Sequence, residues 1–161
     1  MKPIPPRAFA SDRTSPESDR NADPASSATT RVSTSGSTVL VVDDSDIARH
    51  AIVSVLADAG MRALELASPI GATRMILNHK VEAVVIDVLM PGMRGDRLAS
   101  LFRGNPRFKS LAVILVSGER GVDLERMAHE AGADAAVSKT QLGELVLAIR
   151  QALRRRAALN D

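Results

Sequence analysis

The sequence predicts an α/β fold built on a parallel sheet, and three observations predict it. From Thr38 onward, short β-branched runs alternate with longer segments of helical spacing. Three of those runs are nearly all apolar, as strands covered on both faces are. Four of the five end in acidic, hydroxyl or ammonium side chains, at the strand ends where open parallel sheets bind ligands.

The predicted strands are Thr38–Asp43 (TVLVVD), Arg62–Leu66, Glu82–Asp87 (EAVVID), Leu111–Ser117 (LAVILVS) and Ala135–Ser138. Helical stretches are expected at about 46–59, 69–79, 94–104, 121–131 and 141–157. Local punctuation supports these limits. Gly60 and Gly132 follow helices as C′ residues, Ser68-Pro69 reads as an N-cap and first-turn pair, and Thr140 reads as the cap of the last helix. In that helix Leu142, Leu145, Val146, Ile149 and Leu153 recur every three or four residues, forming one apolar stripe for the sheet.

Residues 1–37 differ in kind. They hold five of the eight prolines and twelve Ser or Thr without helical or strand periodicity, so a disordered tail is expected there. A domain over 38–157 and a short tail over 158–161 complete the expected organisation, with no room in 161 residues for an output domain.

Composition excludes several functions. The absence of Cys rules out disulfides and thiolate metal sites, and three scattered His make no imidazole cluster for zinc. Three Phe with no Tyr or Trp leave an aliphatic core and no aromatic platforms for stacking bases. A net charge of +2 is no polycationic surface. The longest apolar run, Leu111 to Val116, is far short of the ~20 residues a bilayer requires, so a cytoplasmic protein without membrane attachment is expected. Arg150, Arg154, Arg155 and Arg156 cluster in the last helix, where they suit the C-terminal dipole; nucleic-acid binding is not expected of them.

The candidate chemistry lies at the carboxyl ends of the strands: Asp43-Asp44 after the first, Asp87 at the third, Ser117 at the fourth and Lys139 after the fifth. Gathered carboxylates repel, by about 1 kcal/mol per pair at 4 Å in water and about 4 kcal/mol at an effective dielectric of 20. Lys139 can supply one compensating charge and a hard divalent ion such as Mg²⁺ two. Carboxylate, metal, hydroxyl and ammonium together suit phosphoryl transfer, with one Asp as acceptor, Ser117 as a hydrogen-bond donor and Lys139 as counter-charge.

At these residues the chain resembles the receiver domain of bacterial two-component response regulators. VLVVDDSDIAR at 39–49, VVIDVLMPGMRG at 84–95, VILVSG at 113–118 and AGADAAVSK at 131–139 carry the resemblance, which extends from Thr38 to about Arg156. It implies a flavodoxin-like, doubly wound, five-stranded parallel sheet of order 2-1-3-4-5 with five helices. It implies Asp87 as phosphoacceptor for a sensor histidine kinase or phosphotransfer protein, and Mg²⁺ on Asp44, Asp87 and the Leu89 backbone carbonyl, with Asp43 holding a metal-bound water. It further implies that Ser117 and Lys139 contact the phosphoryl group and that Gly118 leaves room for it. Two departures stand out: Thr140 follows the lysine where the family commonly has proline, and Ala136 replaces a common aromatic. The expected function is a stand-alone, phosphorylatable switch that signals by binding a protein partner and is not an enzyme. The oligomeric state stays open, a homodimer included. Two rivals remain at this point: a haloacid-dehalogenase-like phosphatase, whose Asp-x-Asp pattern Asp44-Ser45-Asp46 fits, and a receiver-shaped scaffold that is not phosphorylated.

Overall fold

A computed structural model describes residues 36–119 and 123–160. Five parallel strands run β1 (Thr38–Val42), β2 (Arg62–Leu66), β3 (Ala83–Asp87), β4 (Ala112–Ser117) and β5 (Ala135–Ser138). Their spatial order is β2-β1-β3-β4-β5. The helices between them are α1 (Asp46–Asp58), α2 (Ala72–His79), α3 (Gly95–Arg103), α4 (Leu124–Ala131) and α5 (Leu145–Ala158). This is the doubly wound, flavodoxin-like arrangement expected.

Alternation within the strands divides the core. Leu40, Val42, Val84, Ile86, Val113 and Leu115 face α2, α3 and α4, where they meet Ile76, Leu98, Phe102 and Ala128. Val39, Val41, Val85, Ile114, Val116 and Val137 face α1 and α5, against Ile52, Leu56, Leu145, Ile149 and Leu153. Each central strand is therefore apolar except at an end residue, Thr38, Asp87 or Ser117, because both of its faces are covered. Among the described residues the aromatic content of the core is one edge-to-face pair, Phe102 and Phe108, with ring centroids 5.3 Å apart.

Strand order reverses between β1 and β3, and it is there that the acidic residues emerge. Register keeps the functional ends level: Asp87 lies opposite Val116, and Ser117 opposite Ser138. The Asp43 N–H continues the β1 ladder, donating to the Leu66 carbonyl at 3.1 Å.

Three sequence expectations are corrected. Ser68 and Pro69 do not cap α2: the Ser68 hydroxyl accepts from the Ile70 N–H at 3.2 Å, closing a turn, and the helix starts at Ala72 after Gly71 in the left-handed region. Thr140 does not cap the last helix. Residues 139–144 form a 3-10 turn interrupted at Gln141, and the α-helix begins only at Leu145. The helix expected from 121 starts at Leu124, where the Asp123 carboxylate accepts from the Arg126 N–H at 3.0 Å. The expectation for residues 1–37 lies outside the described residues except at Gly36 and Ser37. Gly36 donates to the Gly60 carbonyl and Ser37 accepts from the Arg62 N–H. Among the described residues no helix is long and apolar enough to cross a membrane.

Candidate functional site

Asp43 leaves the end of β1 with no solvent exposure, yet its carboxylate is well partnered. One oxygen accepts from the Ser45 N–H at 2.9 Å and the other lies 2.7 Å from Lys139 Nζ. The same ammonium is 3.1 Å from Asp87 Oδ1, so Lys139 bridges the buried acids of two strands from the end of β5. Asp44, the next residue along, is exposed, and its carboxylate completes a trio with Asp43 and Asp87 whose oxygens lie within 4.8 Å of one another. Ser117 is buried at the end of β4, and its Oγ accepts from the Glu119 N–H at 3.2 Å, which leaves the hydroxyl proton free to donate.

Charge follows from this geometry. Burial pushes the Asp87 carboxyl above its ordinary value; the Lys139 hydrogen bond and charge pull it back, the Asp43 charge adds to the rise, and the Leu89 N–H opposes it. For Lys139, burial opposes the charged form, but hydrogen bonds and charge from Asp43 and Asp87 outweigh it and raise the ammonium's pKa. Three carboxylates against one ammonium leave a formal deficit of two positive charges at an all-oxygen pocket. That is the donor set and charge of a hard divalent cation such as Mg²⁺.

Sequence reasoning named Asp43, Asp44, Asp87, Ser117 and Lys139, and the fold brings all five to one end of the sheet. Asp46, which completed the rival Asp-x-Asp pattern, instead sits in the first turn of α1 and ion-pairs with Arg49. A Cβ added at Gly118 would rest 3.5 Å from Lys139 Cδ, an ordinary contact, so this geometry does not itself demand glycine there. Gly95 is different: it closes the VVIDVLMPGMRG segment, but the sequence reading assigned it no role. A Cβ there would stand 2.1 Å from the Asp87 carbonyl oxygen, so only glycine lets the start of α3 approach the end of β3. Thr140 makes a bond that proline cannot, donating its N–H to Ser138 Oγ at 3.3 Å, while the two hydroxyls sit 2.8 Å apart. Beside Ala136, an open cleft of about 330 Å³ runs between α4 and β5, lined by residues that include Ala128, His129 and Ala133.

A second cluster lies at the opposite end of the sheet and also escaped the sequence. Asp134, at the start of β5, accepts from Arg103 Nη2 at 2.6 Å, Arg156 Nη2 at 2.7 Å and the Val113 N–H at 2.8 Å. Arg155 donates to the Asp134 carbonyl at 3.0 Å. Two of the four clustered arginines of the last helix thus fasten α5 to the sheet.

The sheet order, the acids at the switch point and the lysine beyond β5 define a receiver. The family model for the response regulator receiver domain matches residues 39–150, and the chain belongs to that family, the receivers of two-component systems. Similar proteins include a cyclic di-GMP phosphodiesterase of Thermotoga maritima, 33% identical over 121 residues that make up 74% of this chain and 32% of that protein. Another is response regulator Rre1 of Synechocystis sp., 32% identical over 126 residues, 76% of this chain and 54% of that one. The chain therefore spans about a third to about half of these relatives' length. The crystal structure of a putative response regulator from Chloroflexus aurantiacus matches with a TM-score of 0.69 at 29% identity, covering 74% of this chain and 98% of that one. The Vibrio cholerae chemotaxis protein CheY4 shares the fold, with a TM-score of 0.65 at 23% identity over 73% of this chain and 99% of its own.

Proposed function

We propose that this chain is a phosphorylatable switch in which Asp87 accepts a phosphoryl group from a phosphohistidine of a sensor histidine kinase or phosphotransfer protein. The observation that carries this reading is the placement of Asp87. It is a buried carboxylate beside a second buried acid, an exposed third acid, a bridging ammonium and a buried hydroxyl. A carboxylate oxygen of Asp87 attacks phosphorus as the phosphorus–nitrogen bond to the donor imidazole breaks, and the imidazole departs with the bonding pair.

Asp44 and Asp87 would hold Mg²⁺, with the Leu89 carbonyl as a third protein ligand and Asp43 binding through water. When bound, the ion neutralises charge on the phosphoryl oxygens. Lys139 pairs with the phosphoryl group as the charge on Asp87 is spent, and Ser117 donates its free hydroxyl proton to a phosphoryl oxygen. The resulting acyl phosphate is read by a protein partner, in keeping with a cytoplasmic signalling role. Ala136 offers no ring to repack on activation, so the response is expected in the loops that follow Asp87 and Ser117.

Incubation with a small acyl-phosphate donor and Mg²⁺, followed by intact-mass measurement, tests the reading. One added phosphoryl group is expected in the wild type and none in Asp87→Asn. Equal labelling of the two proteins would refute the assignment.

A further inference from the structure

The first turn of α1 holds a cation that the phosphorylation chemistry does not use. Arg49 is nearly buried, its side chain 12% exposed, and its guanidinium reaches three separate elements. Nη1 donates to the backbone carbonyl of Asp43 at 2.8 Å, Nη2 pairs with Asp46 at the start of α1, and Nε lies 3.5 Å from Glu65 Oε1 on β2. The turn Asp43-Asp44-Ser45 is thereby held from both sides. Inside it, the Asp43 carboxylate accepts the Ser45 N–H; behind it, Arg49 grips the Asp43 carbonyl. Asp44 is exposed, so its place in the acidic trio depends on the backbone of this turn.

We propose that Arg49 is a positioning residue for the divalent-cation site, fixing the β1–α1 turn that presents Asp43 and Asp44 without touching the ion. The inference rests on reading the acidic trio as a cation site and adds the residue that shapes it. Two physical effects oppose each other here. A guanidinium near a cation site repels the cation, so on charge alone its neutralisation should tighten binding. As a positioning group, its loss lets the turn relax and weakens binding, by the 10- to 100-fold typical of groups that orient metal ligands.

Calorimetric titration of the full chain with Mg²⁺ separates the two. For Arg49→Gln we expect the dissociation constant to rise by about 10- to 100-fold, with the metal-free helical content unchanged. Arg49→Lys should fall between that variant and the wild type, because a single ammonium cannot serve Asp43, Asp46 and Glu65 at once. Affinity in Arg49→Gln equal to or tighter than the wild type would overturn the proposal. If Arg49→Gln fails to fold, Arg49→Lys decides, and wild-type affinity in that variant overturns it equally. Absence of Mg²⁺ binding by the wild type would instead defeat the cation-site reading on which the proposal stands.

Discussion

Replacing Asp134 with alanine should be among the most damaging single changes in this domain, although it lies at the opposite end of the sheet from the acidic pocket. The carboxylate is 6% exposed and takes two guanidinium groups, Arg103 and Arg156, themselves 15% and 18% exposed. Arg103 also donates to the carbonyls of Gly132 at 2.7 Å and Leu111 at 2.9 Å, and burial, with the nearby Arg156, lowers its pKa against the opposing pull of Asp134. Without Asp134, two largely buried cations face each other and the Val113 N–H loses its acceptor. Breaking a buried pair by removing one partner costs about 3–5 kcal/mol. At ~4 °C per kcal/mol for a domain of this size, the midpoint should fall by ~15 °C. Thermal unfolding followed by far-ultraviolet circular dichroism measures it. Asp134→Asn, which keeps the shape and an acceptor for Val113, should lose less and leave Mg²⁺ affinity unchanged. A loss under about 1 kcal/mol in Asp134→Ala, the size of an exposed pair, would refute the reasoning.

Two further outcomes follow from the site. Gly95→Ala drives a Cβ into the Asp87 carbonyl, so it should cost about 1–3 kcal/mol or more and weaken Mg²⁺ binding, whereas Gly118→Ala, with an ordinary contact at 3.5 Å, should be near neutral; equal midpoints for the two would contradict this. Burial raises the Asp87 pKa above 3.8, so the stability linked to this group is complete below 3.8 and is lost as the pH rises through the folded value. At neutral pH the ionised group is then a net cost to the metal-free fold, and Asp87→Asn should raise the metal-free midpoint while leaving Lys139 paired with Asp43. A lower midpoint in that variant would contradict the sign.

Much of this was legible in the sequence because the central strands are short, nearly unbroken apolar runs, as burial on both faces requires, and because a parallel sheet delivers its strand ends to one place. Asp43, Asp44, Asp87, Ser117 and Lys139 could be found on those grounds alone. The start of α2 was not legible, because Ser68 spends its hydroxyl on a turn three residues before Gly71 opens the helix. Thr140 misled for a related reason: the Ser138 hydroxyl claims its N–H and a 3-10 turn intervenes before α5. Asp134 and its arginines stand 31 and 22 residues apart in sequence, a separation that matches no local period. Arg49 shows the same limit, since its bond to the Asp43 carbonyl depends on where the β1–α1 turn folds back.

The location of the phosphoryl group tests the central claim most directly. After treatment with an acyl-phosphate donor and Mg²⁺, borohydride reduction converts an aspartyl phosphate to homoserine, and peptide sequencing by tandem mass spectrometry reads the position. The account predicts homoserine at residue 87, dependent on Mg²⁺. Homoserine at residue 43 or 44, or a phosphoryl group that resists borohydride because it sits on Ser117, would contradict it.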